Sequence, residues 1–423
     1  MTARPNLIAA AIMNINNSQP TSIPPSLTPI TAGDTNHGGW SESQQMSKKG
    51  GKRYNMRKKW YNFKQKITST TETTHTTTKI NTMPQCARSG HACCTIDDES
   101  SNRMIIVGGY DANGKRLSSG IIYNATTHQC TPLPHKMPVA LYGCTATCGG
   151  GNYMYVIGGL GGVNDAIANT VYRLSLMNYK WKNMSAAPMK TARFGHASVL
   201  CDNYIYVFGG LDHRGKLASV ERYSISKNTW EDDLPAMDEA RVGHCAVVVG
   251  NLIYIVGGYR AKRSMIVFDT VSLKWRSHDD DTDDDGCPLS DMPYTRDFAT
   301  AVVLRDDVLP NVVNYLMIIG GEDEHGHVMP SCLIYNCYNN TWSSVPVCME
   351  MTRARSYHVT SVLKDRVIVA GGIGSNDQRL SSMESIQASD LLRYAPLMFP
   401  LPTVYFDQIL LLGKAKDDNG DET

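Results

Sequence analysis

Four Arg-x-x-His pairs recur along the chain: Arg88/His91, Arg193/His196, Arg241/His244 and Arg355/His358, with Arg296 in the same register but no His after it. Imidazoles ligate transition metals, and guanidinium forks take carboxylates or phosphates through paired hydrogen bonds. One pair per repeating unit spreads the histidines apart, so each is expected to serve structure rather than share a metal. Denser ligand sets occur twice. Glu322-Asp323-Glu324-His325-Gly326-His327 offers two imidazoles to one divalent ion, but the same residues suit a charged, solvated loop, and that is the expectation. Asp281, Asp283 and Asp285 followed by Gly286 match the opening of a calcium loop; Met292 stands where the closing bidentate acid belongs, so an acidic insertion is expected. GxSxG, P-loop and HExxH patterns are absent, and none of the twelve cysteines forms a CxxC pair. No catalytic residue, metal or cofactor is expected.

The elements that must hold these residues repeat as well. Gly pairs stand at 108–109, 158–159, 209–210, 257–258, 320–321 and 371–372, spaced by 50, 51, 48, 63 and 51 residues. Each ends a short apolar run such as Ile205-Tyr-Val-Phe or Ile253-Tyr-Ile-Val, and β-branched or aromatic runs stopped by Gly read as buried strands. Downstream lies an aromatic (Tyr123, Tyr172, Tyr223, Phe268, Tyr335), then Trp181, Trp230, Trp275 or Trp342 in units two to five. Cys130 takes the Trp place in the first unit, Ile386 and Tyr394 close the sixth, and Leu141 and Cys144 replace Arg and His in the second.

A unit of four short strands cannot bury its own faces, so a ring of four-stranded blades is the expected solution. The Gly pair, the spaced Tyr and Trp and the Arg-x-x-His lead-in resemble the kelch repeat over about residues 83–399. That resemblance implies an all-β, kelch-type β-propeller with six complete four-stranded blades. Closure is open between six blades and a split seventh, because residues 54–60 resemble a Tyr-to-Trp half repeat and residues 406–413 the strand before a Gly pair. Insertions at 97–102, 278–286 and 305–314 are expected to fall between strands.

In kelch relatives the residue after the Gly pair and the lead-in Arg border the channel mouth used for peptide capture. Carried across, the mouth holds Arg88, Arg193, Arg241, Arg296 and Arg355 with Tyr110, Tyr259 and Glu322. Five guanidinium forks about one opening imply an acidic or phosphorylated protein or peptide partner. The family implies a protein-interaction module and, through a separate subunit, a substrate adaptor of a ubiquitin ligase, since neither an F-box nor room for a BTB segment is recognised. The alternative is an enzyme on the same fold, of the oxidase or epimerase class, but neither a copper-oxidase ligand set nor the Glu-x3-Asp-x3-His iron motif of nitrile specifiers is assignable.

Composition bounds the rest. The 423 residues balance 41 Lys and Arg against 40 Asp and Glu, which argues against general nucleic-acid binding. No apolar run of about 18 residues exists, so no helix is expected to span a membrane. Residues 1–50, rich in Asn, Ser, Thr and Pro, read as disordered. Residues 51–82 read as a basic segment and Thr-rich loop available to a closing blade, 400–413 as a closing strand and 414–423 as an acidic tail. Nine basic residues and no acid lie from Lys48 to Lys66, which reads as a solvated linker or a nuclear-import tag. The N-terminus is a poor secretory signal, and the lack of acids in residues 1–33 leaves a transit peptide as the alternative. The cytoplasm is therefore expected, with the nucleus second, and the cysteines are expected reduced, with Cys93, Cys94, Cys201 and Cys245 as small hydrophobes in strands. Oligomeric state is not legible.

Overall fold

The computed structural model describes residues 78–80, 87–98, 101–162, 165–182, 186–259, 263–276, 289–306 and 313–392. The chain divides into two units, Met1–Thr74 and His75–Thr423, and every described residue lies in the second. Among the described residues of this unit, a three-stranded sheet accompanies six four-stranded antiparallel sheets, which form the blades. Their first strands are Ala92–Asp98, Thr145–Gly149, Ala197–Cys201, Cys245–Val249, Thr300–Asp306 and Val359–Leu363. Each touches the first strands of both neighbours, and the sixth touches the first, so the ring closes at six blades.

Blade three shows why the sequence folds this way. Its second strand, Tyr204–Phe208, pairs with the first and with the third, Val220–Ser224, and the third pairs with Thr229–Glu231. Side chains alternate across a strand. Ile205 and Val207 accordingly pack against Tyr155 and Ile157 of blade two, while Tyr206 and Phe208 pack against Ile253 and Ile255 of blade four. Both faces are buried, so the run is apolar throughout rather than alternating. The same division yields six hydrophobic clusters, one at each blade interface. Trp230 lies opposite Tyr223, ring centroids 5.3 Å apart, and its Nε1 donates to Ala187 O at 2.7 Å on the chain arriving from blade two. Trp181, Trp275 and Trp342 bind the corresponding crossovers.

Closure follows the six-blade alternative, with one strand drawn from ahead of the first blade. The fourth strand of blade six is Thr78–Ile80, which pairs with Met383–Gln387. Thr78–Ile80 lies within the stretch 51–82, expected to be a basic segment and Thr-rich loop available to a closing blade; its backbone is recruited because the last blade otherwise leaves an unpaired edge. Residues 54–60 and 406–413, the acidic insertion at 278–286 and the N-terminal, basic and acidic terminal segments lie outside the described residues. Two insertions lengthen strands: Ala92–Asp98 pairs with Ser101–Val107, and Thr300–Asp306 with Val313–Ile319, seven residues each. A short sheet of Leu141–Tyr142, Leu160–Gly161 and Ala166–Ile167 caps blade two; blades one, three, five and six each carry two isolated bridges at the same place.

The thiol expectation fails at one pair. Cys94 and Cys148 form a disulfide, Cα atoms 5.9 Å apart, between the first strands of blades one and two. Their sequence separation of 54 hides this proximity, which the ring creates. Cys93, Cys201 and Cys245 are free, and burial pushes Cys93 and Cys245 up to about 12.

Candidate functional site

In each blade the second strand ends at the Gly pair, and the crossover from the preceding blade arrives at the same end. In blade three this end carries residues 209–219 and, toward blade four, 232–244, whereas residues 202–203 and 225–228 make the turns at the other end. One end therefore holds the long segments that function draws on.

The five arginines stand at this end but do not face solvent. Arg88, Arg193, Arg241, Arg296 and Arg355 are 0–2% exposed. Arg193 Nη1 donates to Gly209 O at 2.8 Å and Ser219 O at 3.2 Å, and Nη2 donates to Ser219 Oγ at 3.2 Å and Glu221 Oε1 at 2.5 Å. Arg355 repeats the pattern with Gly371, Ser382 and Glu384, Arg241 with Gly257 and Ser264, Arg88 with Gly108 and Ser119, and Arg296 with Gly320 and Ser331. Each side chain thus satisfies the carbonyl of the first Gly in its own blade. Its backbone carbonyl meanwhile accepts from the second Gly of the preceding blade, as in Gly210 N to Arg241 O at 2.8 Å and Gly372 N to Arg88 O at 2.8 Å. The reading of these five as ligand-binding forks is therefore corrected: each guanidinium is buried inside its blade with its terminal nitrogens donating to a carbonyl, a hydroxyl and, in two blades, a carboxylate, so none presents a fork to the mouth.

The sequence held a signal for this role that the initial reading missed. A Ser directly precedes the third strand in the same five blades, at 119, 219, 264, 331 and 382, and where Leu141 replaces Arg in blade two, Thr170 stands at the Ser place. The histidines are structural too. His91 Nε2 meets Ala370 O at 3.2 Å, His196 Nε2 meets Thr145 Oγ1 at 2.9 Å, and His358 Nε2 meets Thr300 Oγ1 at 2.8 Å. Burial first, then the neighbouring arginines, holds all four neutral, with His91 and His244 lowered to about 3. His325 and His327 are exposed on a turn that Asp323 organises by accepting both backbone N–H groups. Among the described residues no group of three or more His, Cys, Asp or Glu is placed to hold a metal.

What surrounds the axis is a ring of backbone. Gly90 N donates to Tyr357 O, Gly143 N to Gly90 O, Gly195 N to Gly143 O, Gly243 N to Gly195 O, Phe298 N to Gly243 O and Tyr357 N to Phe298 O, all at 2.8–3.1 Å. All six residues are left-handed, with φ from 51° to 68°. Four are glycine, the residue this conformation favours; Phe298 and Tyr357 occupy it with rings stacked 4.0 Å apart. Tyr142 lies 6.5 Å from Tyr357 and 4.5 Å from Tyr110.

Of the expected mouth residues, Tyr110, Tyr259 and Glu322 do stand here, each directly after its Gly pair. Tyr110 is buried, with Arg379 5.7 Å over its ring; Tyr259 is partly exposed, with Lys216 6.0 Å over its ring. Glu322 bridges Asp297 through the backbone and accepts from Ser356 Oγ at 2.7 Å. Burial and the Glu322 charge push Asp297 up to about 7, with Lys216 opposing. Burial also raises Glu322, against the Ser356 hydrogen bond. Neither carboxylate has an ion pair among the described residues. Arg116 pairs with Asp165, and Arg260 and Lys262 lie outside the described residues.

Comparison with known proteins gives the same architecture from another direction. Three overlapping stretches, residues 43–258, 131–308 and 243–392, match the model of the KLHDC2/KLHL20/DRC7 Kelch-repeats domain. The chain is 29% identical over 140 residues to Kelch-like protein 40 of Xenopus laevis, covering 32% of this chain and 21% of that protein. It is 27% identical over 157 residues to Kelch-like protein 34 of Homo sapiens, covering 37% and 23%. A similar stretch, 26% identical over 147 residues, occurs in tRNA wybutosine-synthesizing protein 2/3/4 of Arabidopsis thaliana, covering 34% and 15%. The chain thus spans less than a quarter of the length of these relatives.

Proposed function

The chain belongs to the kelch-repeat family, a premise from which we propose that its protein-binding surface is the channel mouth at the Gly-pair end of the ring. The carrying observation is the inequality of the two ends. One gathers the long second-to-third loops, the crossovers and a partly buried cluster of Tyr, Phe, Asp and Glu; the other is made of short turns. Aromatic anchors beside incompletely satisfied polar groups are the usual makings of a binding hot spot. The acidic or phosphorylated ligand inferred from the arginines loses its support, because those guanidinium groups are internal struts. Recruitment to a ubiquitin ligase belongs to the same proposal on family grounds: a protein held at the mouth is the substrate, and a separate subunit joins the ring to the ligase.

The test is positional. A partner first isolated with the full chain is rebuilt with photo-crosslinking residues at Tyr259 or at Tyr338, which is 65% exposed on a turn at the opposite end. Crosslinks from position 259 alone support the mouth. Crosslinks from 338 alone place the interaction elsewhere.

A further inference from the structure

The arginines having been withdrawn from the mouth, the charge left at its centre is negative over blades five and six. Asp297 and Glu322 sit side by side on paired backbone, partly buried, with no cation within ion-pair reach among the described residues. Two neighbouring carboxylates in low dielectric repel each other and lose hydration, a cost that a bound cation removes. The nearby cations stand over aromatic rings, Arg379 over Tyr110 and Lys216 over Tyr259, and Lys216 acts on Asp297 without forming an ion pair with it.

Beside the carboxylates lie aromatic surfaces over which no cation stands among the described residues. Asp297 directly precedes Phe298, and Ser356 directly precedes Tyr357, so Glu322, after its Gly pair, is held by the same two crossovers that carry the Phe298–Tyr357 stack. Tyr142 flanks the stack, is only 1% exposed, and lies within electrostatic range of Glu322. Ser89, fully buried in the same tier and paired with Tyr110 through the backbone, has an unpartnered Oγ. A buried hydroxyl without a partner is uncommon in proteins and points to a missing ligand atom. Aromatic faces combined with carboxylates suit an organic cation with an aliphatic stem.

We propose that the mouth beside blades five and six receives a lysine or arginine side chain from an exposed loop of the partner protein, its charged head at Asp297 and Glu322 and its stem along Phe298, Tyr357 and Tyr142. This rests on the mouth being the docking surface and adds the chemistry of what enters it. The ligand charge is opposite to the one the arginine pattern implied.

The experiment uses the full chain and labelled peptides of one Gly-Ser-Leu framework, differing only at a central residue: Lys, Arg, norleucine, Glu or phosphoserine. Fluorescence anisotropy is expected to show Lys and Arg peptides binding about tenfold or more tightly than the norleucine peptide, the scale of one charged hydrogen bond. Asp297→Asn with Glu322→Gln is expected to erase that preference without lowering the melting temperature, since it removes mutual repulsion; each single variant is expected to erase part of it. Tyr142→Phe tests the hydroxyl and is expected to weaken Lys binding with the norleucine peptide unchanged. Preference for Glu or phosphoserine, or a Lys preference that survives the double variant, overturns the cation assignment; if such binding is still lost in Tyr259→Ala, the mouth itself stands. Binding insensitive to every mouth variant overturns both readings, as does no binding of any peptide up to about 1 mM, near the weak limit of specific recognition.

Discussion

Blades three and five fill the same places with different chemistry. Blade three leads in with Arg193-Phe194-Gly195-His196 and blade five with Arg296-Asp297-Phe298-Ala299. In blade three the Arg reaches a buried carboxylate, the phenyl ring is buried, glycine takes the left-handed place and the His binds Thr145. In blade five Leu333 stands where Glu221 would be, an aspartate replaces the ring, a phenylalanine takes the left-handed place and an alanine replaces the His. Every change loosens the framework or exposes a charge. Departures of this kind, clustered at one spot on an otherwise regular frame, are where function is to be sought.

The comparison can be broken most forcefully at the arginines. Arg193→Ala leaves Glu221 buried and unpaired and is expected to cost about 3–5 kcal/mol in urea melts. Arg296→Ala strands no fully buried carboxylate, its neighbour Glu350 being part-exposed, and is expected to cost distinctly less. Equal losses would erase the distinction between the two blades.

The left-handed places come next. At Gly195, with φ of 62°, a Cβ would lie 2.9 Å from Val242 Cγ2, so Gly195→Ala is expected to cost about 1–2 kcal/mol. Phe298→Gly relieves the same conformation but loses the stack on Tyr357, and its net effect is expected to be smaller. Thermal melts of the two variants decide.

A pH titration sharpens the contrast in charge. Asp297 is raised in the folded state to about 7, through burial and Glu322 and against Lys216, from an ordinary carboxylate value. The folded protein thus holds more protons than the unfolded chain between about pH 4 and 7, so this group's contribution to stability falls as pH rises through that window. Asp297→Asn is expected to flatten that part of the stability profile and to leave the variant the more stable protein above pH 7. Unchanged slopes would show that the carboxylate is ordinarily solvated. The smallest expected effect is that of Tyr259→Ala, partly exposed at the rim: under about 0.5 kcal/mol in stability, with partner binding weakened.

The repeated framework was legible because each register serves all blades alike. Strand runs, Gly pairs and the Tyr–Trp opposition follow from one buried four-stranded unit. Repetition also misled. It drew attention to Arg193 and its equivalents, although a residue that recurs in five blades answers a need common to those blades, here the carbonyl of a Gly turn. Asp297, Phe298 and Tyr357 carried no pattern of their own; their meaning depends on six crossovers meeting at an axis. The Cys94–Cys148 pair and the recruitment of Thr78–Ile80 were hidden for the same reason, since both depend on which segments the ring brings together.

That recruited strand sets a schedule for synthesis. Thr78–Ile80 leaves the ribosome before any blade exists, yet its partner Met383–Gln387 belongs to the last. Blades one to five can each form their hairpins as they emerge, while the latch waits for nearly the whole propeller, a pairing of very high contact order. Until then the nascent arc presents an unpaired edge at each end. The latch also has a weak direction. The pairing of Thr78 with Ser385 and Ile80 with Met383 puts the incoming chain and the outgoing chain at the same end of the two strands. Tension applied through those two segments peels the hydrogen bonds one at a time instead of shearing them together, so the ring is expected to open under load at its latch before any single blade unravels.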